Sequence, residues 1–440
     1  MTDLSIRLRQ ALQPWCTAPA WCIAFSGGLD STVLLHLLAD LARREKLPPL
    51  SVIHIHHGLQ SAADTWPEHC AQVCARLGIA MDIVRVQVAP GASLEQAARN
   101  ARYQAFTARL GPGEVLLSAQ HRDDQAETLL FRLLRGAGVR GLAAMPTGRA
   151  LGKGHLIRPL LDCSRAELQA YAQSHGLAWI EDPSNADERF SRNFLRRQVM
   201  PLLVERWPQA SSSLVRSAGH LSEAQQLLDE LAEIDLAAAH GGSAFAWLSL
   251  PSLYLPAVTA LSEARQRNLL RHWLAPYTRM PDSDHWAGWC DLRDADTDAA
   301  PIWKLADGEL HRADARLWWL SGEWLQPLEP LDRSFSSFPE PVELPGNGCV
   351  HLQGELPPGR WHLRYRQGGE SLQLPGRGRR DLKRLLNELR VPAFVRPRLP
   401  LLFDGDELMA VANLTQSSVI QASGVRLQWS PPIGVQGLSW

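Results

Sequence analysis

Three groups of residues in this chain have reactive or ligand-binding side chains at suggestive intervals. The first is Ser26-Gly27-Gly28-Leu29-Asp30-Ser31. Adjacent glycines allow a sharp reversal and keep Cβ atoms out of a ligand's way, so several backbone N–H groups can converge on one anion. Ser26 and Ser31 add hydroxyl donors, and Asp30 can cap a helix or hold a metal ion that bridges phosphates. No lysine stands in this stretch, which separates it from G-x-x-x-x-G-K-[ST], where a lysine meets the terminal phosphates. The plainer reading is a glycine turn merely capped by Asp30 and Ser31. Against it, an apolar run from Trp21 to Phe25 precedes the turn, and a helical pattern at Val33, Leu34, Leu37, Leu38 and Leu41 follows.

The second group is Gln120-His121-Arg122-Asp123-Asp124-Gln125-Ala126-Glu127-Thr128. Asp123 and Asp124 could do no more than start a helix. Yet His121, Asp124 and Glu127 are spaced by three and can share one face of the helix start, and several carboxylates together suit a metal ion or a cationic substrate. The third group is basic. Residues 360–398 hold eleven Lys or Arg against Glu370, Asp381 and Glu388, in a chain with 45 basic and 46 acidic residues overall. Such a patch can neutralise nucleic-acid phosphates, although a merely soluble basic face has the same composition. His54, His56 and His57 lack a cysteine or carboxylate at ligand spacing and read as structural. The seven cysteines are odd in number and contain no C-x-x-C, so they read as thiols, neither disulfides nor a zinc site.

These groups need elements to position them. Strand patterns at 50–55, 80–88 and 114–119 alternate with helical patterns at 62–77, at 97–110 behind the capping box Ser93-Leu94-Glu95-Gln96, and at 123–135. The alternation predicts an α/β domain over residues 1–212, a Rossmann-like parallel sheet with helices on both faces. Ligands of such sheets bind beyond the carboxyl ends of the strands, where the Ser26 loop and the His121 cluster both fall. A chain of 440 residues exceeds one ordinary core. Residues 213–324 read as a helical domain, 325–358 as a proline-rich linker, and 359–440 as a small, basic α+β domain. Eleven of the 16 tryptophans lie beyond residue 210, where they could stack on unpaired bases but more commonly fill cores. Residues 282–298, with six Asp and one Arg, read as a solvated loop. No run approaches the roughly 18 apolar residues of a membrane span, and residues 1–10 lack the apolar core of a signal peptide. A cytoplasmic protein without a membrane partner is expected.

The S-G-G-x-D-S loop resembles that of the ATP pyrophosphatase (PP-loop) superfamily. With His56-His57-Gly58-Leu59, Arg99 and Arg102-Tyr103, the His121 run, Arg158-Pro159-Leu160, Glu181-Asp182-Pro183-Ser184-Asn185 and Arg192-Asn193, all in order, it resembles the catalytic domain of bacterial tRNA(Ile)-lysidine synthetases. Arg364-x-Arg366-x-Gly368-Gly369-Glu370 with Lys383-Arg384 is similar to the C-terminal domain of that family's longer members. The resemblance implies ATP-dependent ligation of L-lysine to C2 of the wobble cytidine in the CAU anticodon of an isoleucine tRNA. An adenylated intermediate forms, AMP and diphosphate leave, and the codon read changes from AUG to AUA. It implies that Ser26, Gly27, Gly28, Leu29, Asp30 and Ser31 bind ATP, with Mg²⁺ assisted by Asp30. It further implies that Asp30, Asp124, Glu127 and His121 are catalytic, with Asp124 and His121 both open as the base, and that Arg99, Arg192, Arg364, Arg366, Lys383 and Arg384 contact phosphate or tRNA. One rival is a thiolase-type tRNA-modifying enzyme, whose pair of reactive cysteines is missing. Another is a non-catalytic, ATP-sensing tRNA-binding protein, which would bind nucleotide without releasing pyrophosphate. Monomer and homodimer both stay open.

Overall fold

The computed structural model describes residues 3–58, 61–88, 94–242, 245–279, 283–296, 299–335 and 341–434. The chain forms two compact units, Met1–Leu227 and Leu228–Ser439. The first is built on β1 (Trp21–Ala24), β2 (Leu50–His56), β3 (Ala80–Arg85), β4 (Val115–Leu117), β5 (Gly148–Leu151) and β6 (Gly154–Ile157), in the order β3-β2-β1-β4-β6-β5. All neighbours are parallel except β5 and β6. The expected parallel sheet is therefore present, and the antiparallel β5-β6 hairpin extends it beyond the strands read from sequence. The capping-box Ser93 and the motif residue Leu59 lie outside the described residues.

Strand alternation sorts this unit's core into two layers. Trp21, Ile23, Val52, Val115, Leu117 and Ile157 face one layer, which holds α1 (Leu4–Leu12) and α2 (Leu29–Arg44). Cys22, Ile53, Leu116 and Leu156 face the other, with Phe106 of α4 (Leu94–Arg109). Between β2 and β3 runs α3 (Trp66–Leu77), and α5 (Arg122–Leu133) leaves the end of β4. Burial on both faces explains why these strands read as continuous apolar runs.

The second unit adds strands to the helical and α+β regions expected from the sequence. Its helices accompany a four-stranded antiparallel sheet of Ser252–Tyr254, Arg316–Leu320, Gly308–Ala313 and Ile302–Leu305. Residues 325–358, expected as linker, contribute Asp332–Phe335, Val342–Glu343 and Cys349–Gln353 to two further sheets. Strand Arg316–Leu320 is two-faced: Leu317 and Trp319 join one core while Trp318 and Leu320 join the core of the C-terminal strands. Trp318, Trp319, Trp324, Trp361 and Trp429 are all buried, which settles for packing over base stacking at these positions. Within the acidic stretch, Ala287–Asp294 is helical and buries Trp289 and Leu292, so it is more than a solvated loop.

Candidate active site

The Ser26 loop joins β1 to α2. Gly27 has φ +84°, and a Cβ there would lie 2.6 Å from Ile180 Cδ1 and 2.9 Å from Cys70 Sγ, so both conformation and space demand glycine. The hydroxyls are ordered within the loop. Ser26 N donates to Ser31 Oγ at 3.3 Å, Ser31 Oγ donates to Gly28 O at 3.0 Å, and Gly28 N donates to Ser26 Oγ at 3.3 Å. Ile180 N fastens the loop from outside through Gly27 O at 2.8 Å. Gly28 caps α2 without a side-chain bond, and the first amides of a helix have no intrahelical partner, so this end can receive an anion.

His121 stands at the end of β4 as the N-cap of α5. Its Nδ1 accepts from Asp124 N at 3.3 Å, while Asp124 Oδ2 accepts from His121 N at 3.2 Å, a reciprocal capping box. A backbone N–H only donates, so Nδ1 is the bare nitrogen and the neutral ring carries its proton on Nε2. Nε2 is buried without a hydrogen-bond partner, 3.6 Å from Asp30 Oδ2 and 3.5 Å from Asp124 Oδ2. Burial pushes the imidazole pKa down, but Asp30, Asp124 and Asp123 outweigh it and hold it above the ordinary value. The structure thus brings together Asp30, His121, Asp124 and Glu127, which sequence spacing had paired only in part.

Two arginines close the cluster from a distant segment. Arg196 donates Nε to Glu127 Oε1 at 2.7 Å, and Nη2 to Glu127 Oε2 at 2.9 Å and Asp124 Oδ1 at 2.8 Å. Arg192 donates Nε to Glu127 Oε2 at 3.2 Å and Nη2 to Asp124 Oδ1 at 3.1 Å. Burial pushes the Asp124 carboxyl up, yet His121, Arg192 and Arg196 prevail and hold it below the usual carboxylate range. Glu127 is only 3% exposed, and these guanidinium groups supply its hydrogen-bond donors. Their segment is held by the motif before it. Asp182 caps a short turn through Ser184 N at 2.8 Å, and Asn193 Nδ2 donates to Ser184 O and Asp187 O, both at 2.9 Å. Sequence reading assigned Arg192 to phosphate or tRNA and missed Arg196. The signal was there: the two are spaced by four and so share a helix face, through a π turn at Leu195–Val199.

Asp30 Oδ1 is buried without a hydrogen-bond partner. A single carboxylate oxygen beside a phosphate loop is what Mg²⁺ uses when its other ligands are phosphate and water. Among the described residues, no group of three or more His, Cys, Asp or Glu could cage a metal by protein ligands alone. His57 is set beside Arg102, whose Nη2 lies 3.4 Å from its Nε2; burial, then that charge, pushes it down to about 4.

The residues expected to meet tRNA separate into two kinds in the second unit. Arg364 lies over Phe403 at 4.9 Å, donates to Gly405 O at 3.1 Å and pairs with Asp332 at 3.5 Å. Arg366 pairs with Glu370 at 3.5 Å, whose Oε1 also caps the amides of Gln367 and Gly368. Both are therefore turned toward their own fold. Lys383 and Arg384 are exposed on helix Leu382–Glu388, beside the fully exposed edge strand Gly378–Asp381 with Arg379 and Arg380.

Comparison with known proteins follows this architecture. A PP-loop domain model matches residues 1–203, a TilS substrate binding domain model residues 253–318, and a TilS substrate C-terminal domain model residues 361–429. The chain is 62% identical over 436 residues to the tRNA(Ile)-lysidine synthase of Pseudomonas fluorescens (strain Pf0-1), covering 99% of this chain and 98% of that one. It is 61% identical to the Pseudomonas aeruginosa protein of the same name, covering 99% of each. It is 41% identical to that of Escherichia coli O157:H7, covering 92% and 95%. With an ATP pyrophosphatase loop, an acidic cluster at the neighbouring strand end and full-length likeness to these enzymes, the chain belongs to the tRNA(Ile)-lysidine synthase family.

Proposed function

We propose that the enzyme ligates L-lysine through its ε-amine to C2 of the wobble cytidine of isoleucine tRNA bearing a CAU anticodon, in two steps at the strand ends of the first unit. Cytidine O2 attacks the α-phosphate of ATP and pyrophosphate leaves. The lysine amine then attacks C2 and AMP leaves. The first step is needed because an amide-like oxygen is a poor leaving group until it is adenylated. Loop residues Ser26 to Ser31 and the first amides of α2 hold the departing phosphates. Asp30 would hold Mg²⁺, whose chemistry here is to offset charge on those phosphates.

The observation that carries this reading is the Asp30, His121, Asp124 and Glu127 cluster, which connects the phosphate loop to a carboxylate pair suited to an ammonium group. A lysine amine arrives protonated, with an ordinary pKa of about 10.4, and must lose that proton. Asp124 and Glu127 anchor the ammonium. Asp124 accepts the proton: the ammonium enters against its Oδ1 in place of Arg192, whose bonds are the longer ones, and transfer of the proton to this carboxylate leaves a neutral amine free to attack C2. His121 suits the base role less well, since its Nδ1 is committed to the cap and its Nε2 carries the neutral ring's proton. It orients the two aspartates instead. Lys383 and Arg384 contact the tRNA backbone, while Arg364 and Arg366 support that surface from within.

The test is pyrophosphate release from ATP by the full-length protein with unmodified isoleucine tRNA, with and without L-lysine, followed by mass analysis of the anticodon fragment. A lysine-dependent mass gain on the wobble cytidine is expected. Release with tRNA but no lysine adduct would refute the choice of nucleophile, and nucleotide binding without any release would favour an ATP-sensing binding protein.

A further inference from the structure

Outside the acidic cluster, the first unit gathers several arginines around one tyrosine. Arg99 and Arg149 lie over the Tyr103 ring, with Cζ at 4.9 and 5.1 Å from its centroid, and Arg99 Nη2 is 3.5 Å from its hydroxyl. Arg158, only 4% exposed, donates Nη1 to Pro146 O at 2.8 Å and keeps its Nε buried without a hydrogen-bond partner. Burial pushes the Tyr103 phenol up, but the charges of Arg99, Arg158 and Arg149 prevail and hold it below the ordinary range. Arg132 adds its charge close to Arg99. Among the described residues, none of these guanidinium groups pairs with an Asp or Glu. Several other arginines of the same unit are matched: Arg7 with Asp162 and Glu167, Arg109 with Asp82, Arg196 with Glu127.

Like charges collected without counter-charge oppose folding, and an external anion removes that opposition. Arg158 directly follows β6, so the cluster stands at the carboxyl edge of the sheet that also carries the Ser26 loop and His121. The phosphates of ATP already have the amides and hydroxyls of that loop. A second, arginine-only site on the same edge fits an anion that reaches the catalytic cluster from outside, and guanidinium forks match phosphodiester oxygens.

We propose that Arg99, Arg149 and Arg158, set around Tyr103, form a receiving site for backbone phosphates of the RNA substrate beside the nucleotide to be modified. The identity of the RNA rests on the function proposed above. Arg99 and Arg149 hold the phosphate oxygens, and Arg158 fixes the tyrosine against which they stack.

The experiment compares full-length wild type, Arg149→Gln, Arg149→Lys and Arg99→Gln/Arg149→Gln for affinity to isoleucine tRNA across a salt series, and for ATP affinity without RNA. Arg149→Gln is expected to weaken RNA binding about 5- to 20-fold and to lower the log–log salt slope by roughly 0.7 to 0.9, the share of one phosphate contact. Arg149→Lys should restore most of the slope, and ATP affinity should not change. Bound RNA should also raise the Tyr103 phenol pKa in a difference ultraviolet titration, with that signal absent in Tyr103→Phe. Unchanged RNA affinity and slope in the double variant would overturn the site, as would a loss confined to ATP. Cluster-dependent RNA binding by a wild type that forms no lysine adduct would sustain the site while refuting the proposed reaction.

Discussion

Asp124→Asn should separate the two proposed chemical steps. Asp124 Oδ1 accepts from Arg196 at 2.8 Å and Arg192 at 3.1 Å, and Oδ2 accepts from His121 N at 3.2 Å. Every oxygen therefore faces a donor, and an asparagine must turn its NH₂ toward either the guanidinium pair or the capping amide. One misplaced donor at this largely buried position costs about 1 to 3 kcal/mol of stability. The substitution also removes the charge proposed to anchor the ammonium. A charge-assisted hydrogen bond contributes about 1.5 to 3 kcal/mol, which is roughly 10- to 150-fold in kcat/KM for lysine. Adenylation as proposed does not use that contact, so pyrophosphate release with tRNA and ATP alone should fall by less than about 3-fold once thermal stability has been shown to permit folding. The assay measures lysine-independent pyrophosphate release and lysine incorporation on the same preparation. Equal loss of both, or an unchanged lysine KM and turnover, would refute the assignment of Asp124.

Asp30→Ala should abolish pyrophosphate release under all conditions while leaving tRNA affinity within about 2-fold, as measured by filter binding. Gly27→Ala should lose ATP binding and about 1 to 3 kcal/mol of stability, since its φ of +84° and the Cβ contacts with Ile180 and Cys70 both resist a side chain; calorimetry with and without ATP reads both effects. His57 has a folded pKa of about 4 against an ordinary 6.5, so the unfolded chain binds its proton first. The first unit should therefore lose stability as pH falls from 6.5 to 4, with no further contribution below that, and denaturant titrations of His57→Gln should show a shallower loss over the same window.

Features that depend on neighbours along the chain are legible in the amino-acid order. The Ser26 loop was legible because a strand, two glycines and a helix start lie within ten residues, and the parallel sheet followed from apolar runs alternating with helical periods. His121, Asp124 and Glu127 were legible for the same reason, being one helix start. Tertiary structure alone decided what neutralises them. Arg192 and Arg196 reach Asp124 and Glu127 across 65 to 72 residues of sequence, and nothing in local spacing distinguishes an arginine that clamps a buried carboxylate from one that meets a phosphate. The same limit applied to Arg364 and Arg366, which composition placed in a basic patch and packing turned inward. It applied as well to the strand Arg316–Leu320, whose tryptophans serve two cores at once. Charge and hydrophobicity are properties of a residue, but which partner removes them from water is set by the path of the whole chain.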